Sequence, residues 1–66
     1  MSFEMPTAYL TVGHLMAYSV REKLAGNDGP LRLEITRQQA DSLGARFGGP
    51  DVDRAVIADV ELVVKP

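Results

Sequence analysis

The segment AVIADVELVVKP, residues 55 to 66, constrains this chain more than any other stretch. Val56, Ala58, Val60, Leu62 and Val64 recur at strict period two, with Ile57, Asp59, Glu61, Val63 and Lys65 between them. Such alternation in valine-rich sequence marks a strand with one face on a core and the other toward water. The pattern predicts one nine-residue strand over Val56–Val64, closed by Pro66. A lone strand leaves its backbone groups unpaired, so a sheet has to form around it.

The segment PLRLEI, residues 30 to 35, supplies a second strand. Leu31, Leu33 and Ile35 point inward, Arg32 and Glu34 outward, and Pro30 opens it because a first-residue proline need not donate to the ladder. Between the strands, Thr36 and Gln39 have the spacing of a capping box, with Ile35 and Ala40 placed as a hydrophobic staple. Ala40, Leu43, Gly44 and Phe47 then follow a helical stripe that Gly48, Gly49 and Pro50 end. Gly44 reads as a point of close backbone approach.

Residues 11–25 fit two elements. As a strand, Tyr18, Val20 and Leu24 alternate with Ser19, Arg21 and Lys23 and pair with Leu31–Ile35 across AGNDGP. As a helix, Thr11 caps it, and Val12, Leu15, Met16, Val20 and Leu24 form the buried stripe. The good helix formers of MAYSVREKLAG favour the helix, Arg21 and Lys23 suit its last turn, and Gly26 fits C′. AYLT before it reads as a short extra strand, and residues 1–7 as a flexible arm. The expected architecture is a single small α+β domain, two helices packed on one face of a two- or three-stranded sheet.

Size then limits how this domain is stabilised. A chain of 66 residues buries only about 60% of its extended surface, and small domains compensate with disulfides, a metal or a partner. There is no cysteine, and His14 is the only histidine, so disulfides and a structural zinc site are excluded. Association with a second copy, or docking onto another protein, remains. Seven basic and nine acidic residues leave a formal charge of −2 with the signs interspersed, which disfavours nucleic acid as a partner. The first ten residues lack a signal-peptide pattern, and no run approaches the roughly 20 apolar residues of a membrane span. A cytoplasmic chain with no membrane partner is the expectation.

Four stretches invite a chemical reading. TRQQADSLG has the first half of a helix-turn-helix phrase, with Ala40 and Gly44 four residues apart. A recognition helix would then run through about residues 46 to 54, where Gly48, Gly49 and Pro50 stand. An interior proline costs ~3 kcal/mol and each glycine about 1 relative to alanine, so the helix reads as scaffold. REKLAGNDGPLRLEI resembles the Arg-Glu-Lys-Leu, glycine-turn, strand phrase of AbrB-like antitoxin regulators. That resemblance implies a dimeric swapped-hairpin DNA-binding regulator with Arg21 and Lys23 on phosphates, the alternative to a protein-binding role.

GGPDVDR sets Asp51 and Asp53 two apart in a loop where Ca²⁺ or Mg²⁺ would be at home, but apolar Ala55, Val56 and Ile57 follow. A solvated loop balanced by Arg54 is the expectation, with no metal. His14 has no nucleophile at a recognisable spacing and Glu22 lies eight residues on, so it reads as structural. No phosphate loop, dinucleotide fingerprint or nucleophile elbow occurs, and neither enzyme activity nor a cofactor is expected. TVGHL and the helix after it resemble openings of many small bacterial and phage proteins, which brings no function with it.

An interaction surface is left. With at most three strands, Val56–Val64 reads either as an open sheet edge, with Ile57, Asp59, Glu61 and Val63 on its outward face, or as an edge blunted by Lys65 and a covering helix. An open edge pairs with its own copy across a two-fold axis or adds to another protein's sheet. The expected function is a small non-enzymatic protein-binding module, homo-oligomeric or an accessory modulator of a larger complex.

Overall fold

The computed structural model describes residues 9–66. In chain order it contains α1 (Val12–Leu24), β1 (Leu31–Ile35), α2 (Arg37–Leu43), a 3₁₀ turn (Gly44–Arg46), β2 (Arg54–Ile57) and β3 (Val60–Val64). The strands form one sheet in the order β1-β3-β2. β1 runs parallel to β3, Leu31 opposite Val60 and Ile35 opposite Val64, while β2 runs antiparallel to it, Ile57 opposite Val60 and Arg54 opposite Val63. The α+β class with two helices and three strands is as the sequence predicts.

α1 resolves the ambiguity of residues 11–25 as helix. Thr11 Oγ1 accepts from the His14 amide at 3.2 Å, and His14 Nδ1 accepts from the Thr11 amide at 3.1 Å. The helix ends in a Schellman arrangement, with the Asn27 amide on the Glu22 carbonyl at 2.9 Å and the Gly26 amide on Lys23 at 3.1 Å. Gly26 sits at φ +90°, where glycine alone is unstrained. At α2, Thr36 Oγ1 accepts from the Gln39 amide at 3.1 Å and Gln39 Oε1 from the Thr36 amide at 2.8 Å, the capping box the spacing predicts.

One cluster holds the domain together: Leu10, Leu15, Leu31, Ile35, Ala40, Leu43, Phe47, Val60 and Leu62. Both helices contribute to it, so both lie on the same side of the sheet. Each large side chain buried there contributes about 1.5–3 kcal/mol. Ser42 pins the entry of α1 to α2: its Oγ accepts from the Leu10 amide at 2.8 Å and donates toward the carbonyls of Gln39 and Leu10. Leu10 is fully buried without belonging to a strand, and the expected strand of AYLT is not formed over Tyr9–Thr11. Ala8 and the expected arm of residues 1–7 lie outside the described residues.

Three expectations are corrected. The nine-residue strand is a hairpin, because Ala58 and Asp59 both take positive φ, 53° and 65°, between β2 and β3. Positive φ at both central residues is the two-residue turn whose twist suits a hairpin. It pairs Ile57 with Val60 and Ala55 with Leu62, which turns Ile57 to the core and Val56 out, 70% exposed. β3 therefore lies in the middle of the sheet and not at its edge.

The second correction is at Gly44. The α-helix stops at Leu43, and Gly44 takes φ +61° and ψ −137° as the first residue of the 3₁₀ turn that brings Phe47 into the core. A side chain at Gly44 would meet nothing within 4 Å, so backbone conformation and not close approach requires glycine there. The third is the burial of α1. Of the expected stripe Leu15 does face the core, joined there by Ser19, while Met16, Val20 and Leu24 are 56%, 57% and 84% exposed.

Candidate functional site

The side of the sheet that neither helix covers is, among the described residues, a small grid of six side chains. Arg32, Glu61 and Val56 form one row across β1, β3 and β2, and Glu34, Val63 and Arg54 form the next. Arg54 Nε lies 3.7 Å from Glu61 Oε2, an exposed pair worth little by itself. Glu61 and Val63, two of the four residues expected to form an interface, are half-buried members of this grid. Ile57 is on the opposite face against the core, and Asp59 is in the turn. The four do not share one face, since the turn at Ala58-Asp59 reverses the parity on which that expectation stood.

α1 provides the second surface. Gly13, Met16, Ala17, Val20 and Leu24 are all exposed, at the i, i+3, i+4, i+7, i+11 spacing of one helical stripe. A shallow groove lined by Met16, Ser19, Val20, Lys23, Ala58 and Asp59 runs between the stripe and the β2–β3 turn. Lys23 Nζ reaches Asp59 Oδ2 at 3.3 Å across it. Asp59, expected at an interface, thus sits beside the helix stripe and apart from Glu61 and Val63.

The third surface is the edge of β1, which no other strand pairs with among the described residues. The Ile35 carbonyl accepts from the Lys65 amide at 2.8 Å, so Ile35 turns its backbone groups toward β3. Strand alternation then turns those of Leu31 and Leu33 the same way and those of Arg32 and Glu34 outward. An open groove lined by Arg32, Leu33 and Glu34 flanks this edge. On the other side of the sheet, Arg54 and Val56 of β2 are the corresponding outward residues, because Asp53 accepts from the Val64 amide at 2.9 Å.

No match is found. Family models, curated proteins and solved structures alike return nothing similar to this chain. Function therefore has to be read from the placement of its own residues.

The groups considered for chemistry are built into the scaffold. His14 Nδ1 closes the cap of α1 and also lies 2.9 Å from Thr11 Oγ1. Accepting from the Thr11 amide puts the proton of a neutral ring on Nε2. Asp53 accepts from Arg37 Nη2 at 2.6 Å, and the same nitrogen reaches the Val52 carbonyl at 2.9 Å, tying the loop before β2 to α2. Arg54, expected to balance the loop aspartates, instead faces Glu61. Among the described residues no three His, Cys, Asp or Glu side chains gather as a metal would need, and no helix is long and apolar enough to cross a membrane.

In the stretch that carries the swapped-hairpin resemblance, Arg21, Glu22, Lys23 and Leu24 form the last turn of α1, and the strand after the glycine turn is β1. Tyr18, near the junction of α1 and β1, has a phenol raised above 10.0 by burial, with the Glu22 carboxylate pushing the same way. The folded state thus favours the neutral phenol. That contribution is present at neutral pH and is lost as the pH climbs past 10 toward the raised value.

Proposed function

We propose that this chain is a small non-enzymatic protein-binding module that acts as a homo-oligomer or as an accessory subunit of a larger complex. The observation that carries this reading is the outward stripe of α1. A domain with so small a core gives Met16, Val20 and Leu24 to solvent on a helix whose other face already packs inside. Exposed apolar side chains on successive helical turns form a contiguous patch of the kind that marks a protein contact. A partner covering it would supply the burial that 66 residues supply poorly alone.

The roles found for His14, Asp53 and Asp59 support the non-enzymatic part of the proposal, because each is occupied in a cap or an ion pair. A cytoplasmic location belongs to the same proposal, since a chain without cysteine needs no oxidising compartment to fold. The experiment compares the purified chain with Val20→Glu and Glu34→Arg variants, by sedimentation and by affinity capture from cell extract. The proposal expects self-association, or a defined captured protein, that one of the substitutions removes. A chain that stays monomeric at millimolar concentration and holds no protein in a way either substitution alters would refute it.

A further inference from the structure

The edge of β1 is self-complementary, and we infer that a second copy of this chain pairs with it, antiparallel, across a two-fold axis at Leu33. The inference deepens the association reading above and rests on it. Its first support is hydrogen-bond parity. Arg32 and Glu34 turn their backbone groups to the open side, and Leu33 turns its own to β3. With Leu33 opposite its copy, Arg32 and Glu34 of one protomer form hydrogen-bonded pairs with Glu34 and Arg32 of the other. Four N–H···O=C bonds result, and no existing bond to β3 is lost.

The second support is charge. In this register each exposed Arg32 side chain stands directly across from a Glu34 of the second copy, and the symmetry makes two such pairs. A slip of two residues one way sets Arg32 against Arg32, and a slip the other way sets Glu34 against Glu34. Either slip opposes like charges at the axis, so the side chains specify a single register. Neither residue is committed elsewhere: among the described residues neither side chain has a hydrogen bond or ion pair.

The third support is the core face. Leu31 falls opposite Ile35 of the second copy and Leu33 opposite Leu33, so the half-buried Leu33 is covered and the apolar layer runs on across the axis. The product is a six-stranded sheet, β2-β3-β1 joined to its symmetry copy. The β2 edge offers nothing equivalent. A two-fold at Ala55 would place Arg54 across from Val56, with no charge partner.

Charge reversal tests this on the full chain. Glu34→Arg and Arg32→Glu each turn both cross-strand pairs from attractive to repulsive. Sedimentation equilibrium at low salt should show a wild-type dimer and, for each variant alone, a dissociation constant raised on the order of tenfold or more. An equimolar mixture of the two variants should recover the dimer, because opposite charges again face each other at both positions. Circular dichroism establishes that each variant is folded before it is compared. A wild-type chain monomeric at millimolar concentration overturns the inference, even if the chain binds another protein and the broader reading survives. A dimer indifferent to both reversals and to mixing, but weakened by Val20→Glu, also overturns it and places the contact on α1.

Discussion

Both helices open on a threonine whose hydroxyl and N3 partner close a reciprocal cap, but they bury different amounts of what their sequences show. In α2 the readable stripe is the core stripe: Ala40, Leu43 and, beyond the helix, Phe47 are all buried. In α1 the readable stripe of Val12, Leu15, Met16, Val20 and Leu24 is split: Leu15 is buried as expected, with Ser19 beside it, while Met16, Val20 and Leu24 face solvent. Periodicity identifies an apolar stripe without saying which neighbour covers it. A short helix held between two strands has one available direction. A longer helix ahead of the sheet has two, and α1 carries apolar side chains toward both.

Substitutions on the two sides of α1 should break this contrast if it is wrong. Leu15→Ala removes a fully buried side chain and should cost about 2–5 kcal/mol, comparable to the whole stability of a domain this small. Thermal or urea unfolding should show it largely unfolded, whereas Val20→Ala should stay within roughly 0.5 kcal/mol of wild type when measured dilute. The helix ends come next. Gly44→Ala at φ +61° should destabilise by about 1–3 kcal/mol through backbone strain alone, because the added methyl group touches nothing. The smallest effect is at the caps. His14→Ala should lower the melting free energy by roughly 0.5 kcal/mol, and His14→Gln should restore most of it by rebuilding the ordinary box.

Much of the fold was legible because its signals are local. Thr36 with Gln39, Thr11 ahead of α1, Gly26 at C′ and the alternation of Leu31–Ile35 each act over a few residues. The hairpin was not legible, because Ala58-Asp59 adopts the turn without the glycine or asparagine that usually announces it. Valines on both sides of it kept an apparent period of two running through a reversal of the chain. Leu10 escaped as well, since its burial depends on a distant hydroxyl, Ser42, holding an irregular segment against α2. The interface suggested by Ile57, Asp59, Glu61 and Val63 followed from the missed turn. Its idea of an exposed edge transfers to β1, where Arg32 and Glu34 were already read as outward.

The two sheet edges give the same comparison in its sharpest form, and amide hydrogen exchange reads both in one sample. As protein concentration rises through the range in which the chain dimerises, the amides of Arg32 and Glu34 should slow together. Those of Arg54 and Val56, outward on the β2 edge, should keep their rates. Exchange at Arg32 and Glu34 that does not respond to concentration, or protection that appears at Val56 instead, would contradict the account.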